Sequence, residues 1–243
     1  MKKLYVVGIG PGAPEMMTLE AKSALDECEV IAGYSKYIEL IEPVYPDKEK
    51  YSTGMTGEIE RCEKALEFAD AGKTTAVICS GDAGVYGMAS PILELAEKYP
   101  EVEVEIIAGV TAALSGAAVL GAPLGHDFCV ISLSDRLTAW DVIEKRLRCA
   151  AEADMCLAVY NPTSKTRHDF LERARDILLE FKSPETCCGL VKNIGRAEES
   201  YKLFALKDMK DSDADMFTTV FVGNSTTRVI GGKLVTLRGY NIE

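Results

Sequence analysis

The sequence predicts an α/β protein of two domains, the first on a mostly parallel sheet and the second on a mixed one. Three observations carry this. Short apolar runs at 3–9, 75–79 and 102–107 each end in small or glycine-rich residues and give way to helical periodicity. Strands alternating with helices build parallel sheets through crossover connections. A Gly/Pro-bearing stretch at 122–125 then breaks the pattern, and beyond residue 199 strand follows strand without a long helix. The expected domains are 1–121 and 126–243, joined by a linker at 122–125.

In chain order, residues 3–9 read as a strand opening into Gly8-Ile9-Gly10-Pro11-Gly12. Residues 19–28 read as a helix with Thr18 as N-cap. A short strand at 29–33 follows, then a helix at 57–71 with Ile59, Cys62, Leu66 and Ala69 near a 3.6-residue period. The 75–79 run reads as a buried strand and 89–96 as a helix that tolerates Pro91 in its first turn. Residues 102–107 are a strand, and the small-residue segment 112–120 a buried helix. In the second half, 128–133, 155–160, 186–193, 199–206 and 217–223 read as strands, and 140–153 and 166–181 as helices. Val229 to Val235 reads as a hairpin turning at Gly231-Gly232.

Composition narrows the function. The 243 residues carry a formal net charge of −11 and are 47% hydrophobic. An acidic chain is a poor partner for nucleic acid, which is bound by Lys and Arg neutralising phosphates, and for an anionic membrane. The apolar run after Lys2-Lys3 is too short for a signal peptide or a bilayer span, so a cytoplasmic location is expected. Eight cysteines are present, none in C-x-x-C spacing. That composition suits buried free thiols in a reducing compartment rather than a metal site.

The richest stretch is Cys79-Ser80-Gly81-Asp82-Ala83-Gly84-Val85-Tyr86-Gly87-Met88-Ala89. It has three glycines in the seven residues from Gly81. It lies where a strand ends, and open α/β sheets bind ligands at that carboxyl edge. Asp82 beside Val85 and Tyr86 suits a small ligand with a cationic end and an apolar body. A tight strand-to-helix turn whose glycines serve geometry alone fits equally well. The first loop is G-x-G-x-G rather than the dinucleotide G-x-G-x-x-G. Pro11 and Pro14 remove amide donors, and no carboxylate follows the second strand for a ribose, so a nucleotide-dependent oxidoreductase is the weaker reading.

Taken together, Val7-Gly8-Ile9-Gly10-Pro11-Gly12, Gly81-Asp82-Ala83-Gly84-Val85-Tyr86-Gly87-Met88 and Gly109-Val110-Thr111-Ala112-Ala113 resemble the tetrapyrrole methylases. These are S-adenosylmethionine-dependent enzymes of cobalamin and siroheme synthesis. Gly125-His126-Asp127-Phe128 with Ser132-Leu133-Ser134-Asp135, Tyr160-Asn161-Pro162-Thr163-Ser164-Lys165-Thr166-Arg167, and Val222-Gly223-Asn224-Ser225 resemble the branch that methylates C17 of a precorrin-3 type ring with ring contraction. Arg136 and Ala139 depart from that branch's pattern. Other positions of methylation, C11 or C20, are the alternative.

The resemblance implies two α/β domains with the active-site cleft between them, a homodimer, and S-adenosylmethionine as cofactor. It places Pro11 beside the cofactor and Gly81, Asp82, Val85 and Tyr86 at its methionine part. Thr111 and Ala112 would line the same end, and Tyr160, Asn161, Gly223 and Asn224 would surround the adenosine. Ser132, Ser134, Asp135 and Arg136 fall on the implied substrate side. Ring contraction moves protons and needs a general acid or base. His126, oriented by Asp127, is the expected proton-transfer residue, whereas His168 reads as solvated. A tetrapyrrole carries several carboxylates. An acidic protein therefore needs a local basic rim, expected from Arg136, Lys165, Arg167, Lys192, Arg196 and Arg228.

Overall fold

The computed structural model describes residues 2–164 and 168–241. The chain falls into two compact units, Met1–Ala112 and Ala113–Glu243. In the first, the elements run β1 (Lys3–Gly8), α1 (Leu19–Glu27), β2 (Val30–Tyr34), α2 (Ser35–Ile41), β3 (Glu49–Thr53), α3 (Glu58–Asp70), β4 (Thr75–Cys79), α4 (Ala89–Ala96) and β5 (Glu103–Ile107). The sheet order is β3-β2-β4-β1-β5 and every pair is parallel.

β4 is buried throughout and β1 from Leu4 onward, so both read as continuous apolar runs, as central parallel strands covered on both faces do. Tyr5, Val7, Ile31 and Ile78 pack with Leu25 of α1 and Ile41 of α2. Leu4, Val6 and Val77 pack on the other face with Leu66 of α3 and Ile92 of α4. The Thr18 hydroxyl accepts the Ala21 N–H and caps α1 as expected. Neither α2 nor β3 is among the elements expected from the sequence. β3 is an edge strand, and its Glu-Lys-Tyr-Ser-Thr carries no apolar run to read. Ile59, expected on the buried face of α3, is exposed, and Arg61 is buried there instead. Because the sheet is parallel, the loops after β1, β4 and β5 all leave its one carboxyl edge.

The second unit takes α5 (Ala112–Leu120), β6 (Gly121–Ala122), β7 (Phe128–Ser132), α6 (Trp140–Glu152), β8 (Cys156–Tyr160), α7 (Phe170–Leu178), β9 (Cys187–Lys192), β10 (Ser200–Ala205), β11 (Thr218–Val222), β12 (Thr227–Ile230) and β13 (Lys233–Thr236). Its main sheet runs β10-β9-β11-β8-β7, with β7 and β8 parallel and the other pairs antiparallel. A second sheet, β12-β13-β6, contains the expected hairpin. α6 and α7 cover one face of the main sheet through Ile143, Leu147, Leu171 and Leu178. α5 lies close to Phe221 and Ile194: a Cβ at Gly116 would come 2.8 Å from the Phe221 ring and 2.9 Å from Ile194. Small residues here serve helix–sheet contact. The division between the units falls between Ala112 and Ala113, at the start of α5, earlier than 122–125. Ala122, placed in the linker from sequence, is instead in a strand paired with β13.

Candidate functional site

At the carboxyl edge of the first unit, three loops meet backbone to backbone. Gly10 and Gly81 exchange hydrogen bonds, N–H to O, at 3.1 and 2.7 Å. A Cβ at Gly109 would lie 2.1 Å from the Gly81 oxygen and 2.5 Å from the Gly8 oxygen. Asp82 locks the arrangement. One carboxylate oxygen accepts the N–H groups of Gly84 (2.8 Å) and Val85 (3.2 Å), and the other accepts Gly109 N–H at 2.9 Å. In the structure this carboxylate ties the loop after β4 to the loop after β5, as the turn reading of the glycine stretch expects.

Beside that carboxylate the edge presents uncovered apolar surface. Tyr86 is 59% exposed and held at φ +54, and Val110 is 36% exposed. Left-handed φ at a bulky residue is an outlier that a rigid surround must impose. Pro11 and Thr111 lie in the same loops, and Ala112 opens α5 directly after them. Close backbone, a carboxylate and an exposed apolar wall fit a zwitterion with an apolar body, the class to which S-adenosylmethionine belongs.

In the second unit, strand register sorts the expected residues onto two opposite edges. The first edge gathers the ends of β7, β8 and β9 and the starts of β10 and β11, since Ser132 pairs with Tyr160 and Thr218 with Lys192. The Ser132 hydroxyl accepts from Ser134 N–H at 3.1 Å and from the Asn161 amide at 2.9 Å. The Tyr160 hydroxyl accepts Ala113 N–H, at the start of α5, at 2.6 Å. Asp135 and Arg136 follow in the exposed loop before α6. Arg196, in the turn after β9, stacks on Phe217, 5.4 Å from its centroid. Lys192 pairs with Asp215 at 3.7 Å. His168 belongs here too: Phe170, two residues on, stacks on Trp140 at the start of α6. Arg167 and Lys165 lie outside the described residues.

The opposite edge holds the rest. β11 is antiparallel to β8, with Val222 against Leu157 and Val220 against Val159. Gly223 and Asn224 therefore lie beside the start of β8, at the opposite end of the strands from Tyr160 and Asn161. Asn224 is spent on a turn, its side-chain oxygen accepting from Thr226 N–H at 3.0 Å. Arg228 is here as well, bonded to the carbonyls of Ser225 and Thr227, and so leaves the expected basic rim.

His126 and Asp127 precede β7, and Cys156 N–H donates to the Asp127 carbonyl at 3.1 Å. At a strand rise of about 3.3 Å per residue, Asp127 stands roughly 16 Å from Ser132 and His126 roughly 20 Å. The Nδ1 of His126 accepts the Asp127 backbone N–H at 2.9 Å, and the Asp127 carboxylate lies 3.5 Å away. The imidazole is thus held by an amide and not by the carboxylate, as the sequence suggested. A cavity of about 310 Å³ opens there, lined by Gly125, His126, Asp127 and Arg238. His126→Ala is expected to change the turnover of methyl transfer by less than about twofold, because general acid–base groups worth 10²–10⁴ must reach the reacting atoms. Initial rates of methyl transfer measure this.

The family of Tetrapyrrole (Corrin/Porphyrin) Methylases matches residues 3–210. The chain belongs to the tetrapyrrole methylases. Members use S-adenosylmethionine as methyl donor, so this tetrapyrrole methylase is an S-adenosylmethionine-dependent C-methyltransferase. It is 50% identical over 240 residues to a probable cobalt-factor III C(17)-methyltransferase of Salmonella typhimurium, covering 98% of this chain and 100% of that one. It is 47% identical to a cobalt-factor III methyltransferase of Priestia megaterium, covering 98% of this chain but 45% of that longer protein. Among solved structures it is similar to the methyltransferase CobJ, with a TM-score of 0.91 and 40% identity over 96% of this chain and 99% of that one. Among the described residues, no helix of this tetrapyrrole methylase is long and apolar enough to cross a membrane.

Proposed function

We propose that this chain methylates C17 of cobalt-factor III, a cobalt-bearing precorrin-3 type macrocycle, with contraction of the ring, in cobalamin synthesis. The observation that carries the reading is the end-to-end likeness to the Salmonella relative of that name, which spans 98% of this chain. S-adenosylmethionine, when bound, supplies a methyl group already activated on a sulfonium. The protein's part is then alignment and exclusion of water rather than a nucleophile–base triad.

In this reading Pro11, Gly81, Asp82, Val85, Tyr86, Thr111 and Ala112 hold the methionine part. Asp82 serves mainly by fixing the loops, and Tyr160 and Asn161 serve the adenosine. Ser132, Ser134, Asp135, Arg136 and Arg196 face the macrocycle, with the two arginines as partners for its carboxylates. Proton movement during contraction is assigned to the Tyr160 edge, where His168 and Asp135 are among the titratable groups, beside the Lys192–Asp215 pair. The enzyme acts in the cytoplasm as a homodimer, a state that sedimentation equilibrium measures directly.

Incubation with cobalt-factor III and S-adenosylmethionine is expected to add the mass of one methyl group and to give the absorption of a contracted ring. If the protein binds S-adenosylhomocysteine tightly and leaves cobalt-factor III unmethylated, the acceptor is another tetrapyrrole.

A further inference from the structure

Arg61 lies in α3, packed against the sheet, and is 4% exposed. Its Nη2 donates to the Thr53 hydroxyl at 2.8 Å and to the Gly54 carbonyl at 3.4 Å. Its Nη1 meets only the Met88 thioether, at 3.4 Å. Its Nε has no partner. Among the described residues no carboxylate pairs with it. The neighbouring thiols do not supply the missing charge either, because burial pushes Cys62 up to about 12 and Cys79 up to about 11. An arginine is always protonated, and a buried charge without a counter-ion is strongly unfavourable.

A second feature converges on the same place. The N-cap of α3, Gly57, has no side chain to cap with, so the first amides of this helix are uncapped by side chains, and Glu58 and Glu60 stand in its first turn. The 54–57 loop that leads into the helix meets the guanidinium at the Gly54 carbonyl, 3.4 Å from Nη2. It is flanked by Gly54 and Gly57 and contains Thr56, a β-branched residue at φ +79. Thr53 ends β3 and Met88 follows the glycine stretch after β4, so Arg61 sits behind the ligand-binding edge of the first unit.

We propose that Arg61 is a carboxylate-binding residue, reached when the 54–57 loop lifts and the flexible Met88 side chain swings aside. Its Nε and Nη1, one orphaned and one on a weak sulfur acceptor, are the donors left for the carboxylate. That carboxylate belongs either to the methionine part of the cofactor or to a side chain of the macrocycle. The second source rests on the proposed function for its identity.

The test titrates wild type, Arg61→Met and Arg61→Lys with S-adenosylhomocysteine, cobalt-factor III and uroporphyrin III. Arg61→Met is expected to weaken one class of ligand by about 30-fold, the scale of a lost charge-assisted pair. The ligand-free Tm is expected not to fall, since an uncompensated charge is removed. Arg61→Lys, which keeps the charge and loses the planar fork, is expected to weaken the same ligand roughly fivefold. Loss confined to S-adenosylhomocysteine assigns the methionine carboxylate, and loss confined to the macrocycles assigns the ring carboxylates. Affinities within twofold of wild type for every ligand that wild type binds overturn the proposal, above all if Tm falls, which marks a structural clamp. If Arg61→Met does not fold, Arg61→Lys decides. Failure of wild type to bind cobalt-factor III while it binds uroporphyrin III counts against the proposed acceptor and leaves Arg61 to the remaining ligands.

Discussion

Gly109→Ala is expected to abolish cofactor binding, lowering the affinity for S-adenosylhomocysteine by more than roughly 100-fold, or about 3 kcal/mol. The added carbon would stand 2.1 Å from one carbonyl oxygen and 2.5 Å from another, both backbone. No rotamer relieves that. The loops after β1, β4 and β5 must part, and the Asp82 bond to Gly109 N–H at 2.9 Å breaks with them. Overpacking ordinarily costs about 1–3 kcal/mol where side chains can yield, and here the neighbours cannot. Calorimetric titration gives the affinity, and a thermal melt shows how much of the first unit survives. Gly84→Ala is the control: its nearest contact is 3.3 Å, to one Asp82 carboxylate oxygen. It should retain binding within about tenfold.

Asp82→Ala is expected to lower stability and cofactor affinity together. Three backbone N–H groups lose their acceptor in one step. At about 1 kcal/mol for each bond, discounted for partial exposure, the first unit should lose roughly 2–3 kcal/mol, and the affinity for S-adenosylhomocysteine should fall at least tenfold. The joint fall is the informative result. A carboxylate that served only as counter-charge to a bound ammonium would leave the ligand-free Tm unchanged. An unchanged Tm with lost affinity would therefore return Asp82 to the ligand and contradict the loop-tying role.

These two residues show what was legible in the sequence. The parallel sheet was readable because β1 and β4 are buried on both faces and hence continuously apolar. The glycine loops were readable as close backbone contacts, but which backbone each glycine approaches depends on Gly8, Gly81 and Gly109 meeting across three crossovers. β3 escaped notice because an edge strand of Glu49, Lys50 and Ser52 carries no apolar signature. In the second unit the error lay in direction. Gly223-Asn224 and Tyr160-Asn161 both follow apolar strands, so both read as carboxyl-edge loops. Only the antiparallel pairing of β8 with β11 separates them. The pairing of β7 with β8 sets His126, which precedes its strand, at the far edge from Tyr160, while His168, expected to be solvated, is exposed. Arg61 left no trace in a hydrophobic pattern, because a buried charge is the exception that periodicity is built to ignore.

The most direct test of the account follows the methyl group itself. Cobalt-factor III is incubated with S-adenosylmethionine carrying a ¹³C methyl, and the product is examined by NMR. A single enriched methyl resonance correlated with C17 of a contracted ring is the predicted result. Enrichment at any other ring carbon, or none, would contradict it.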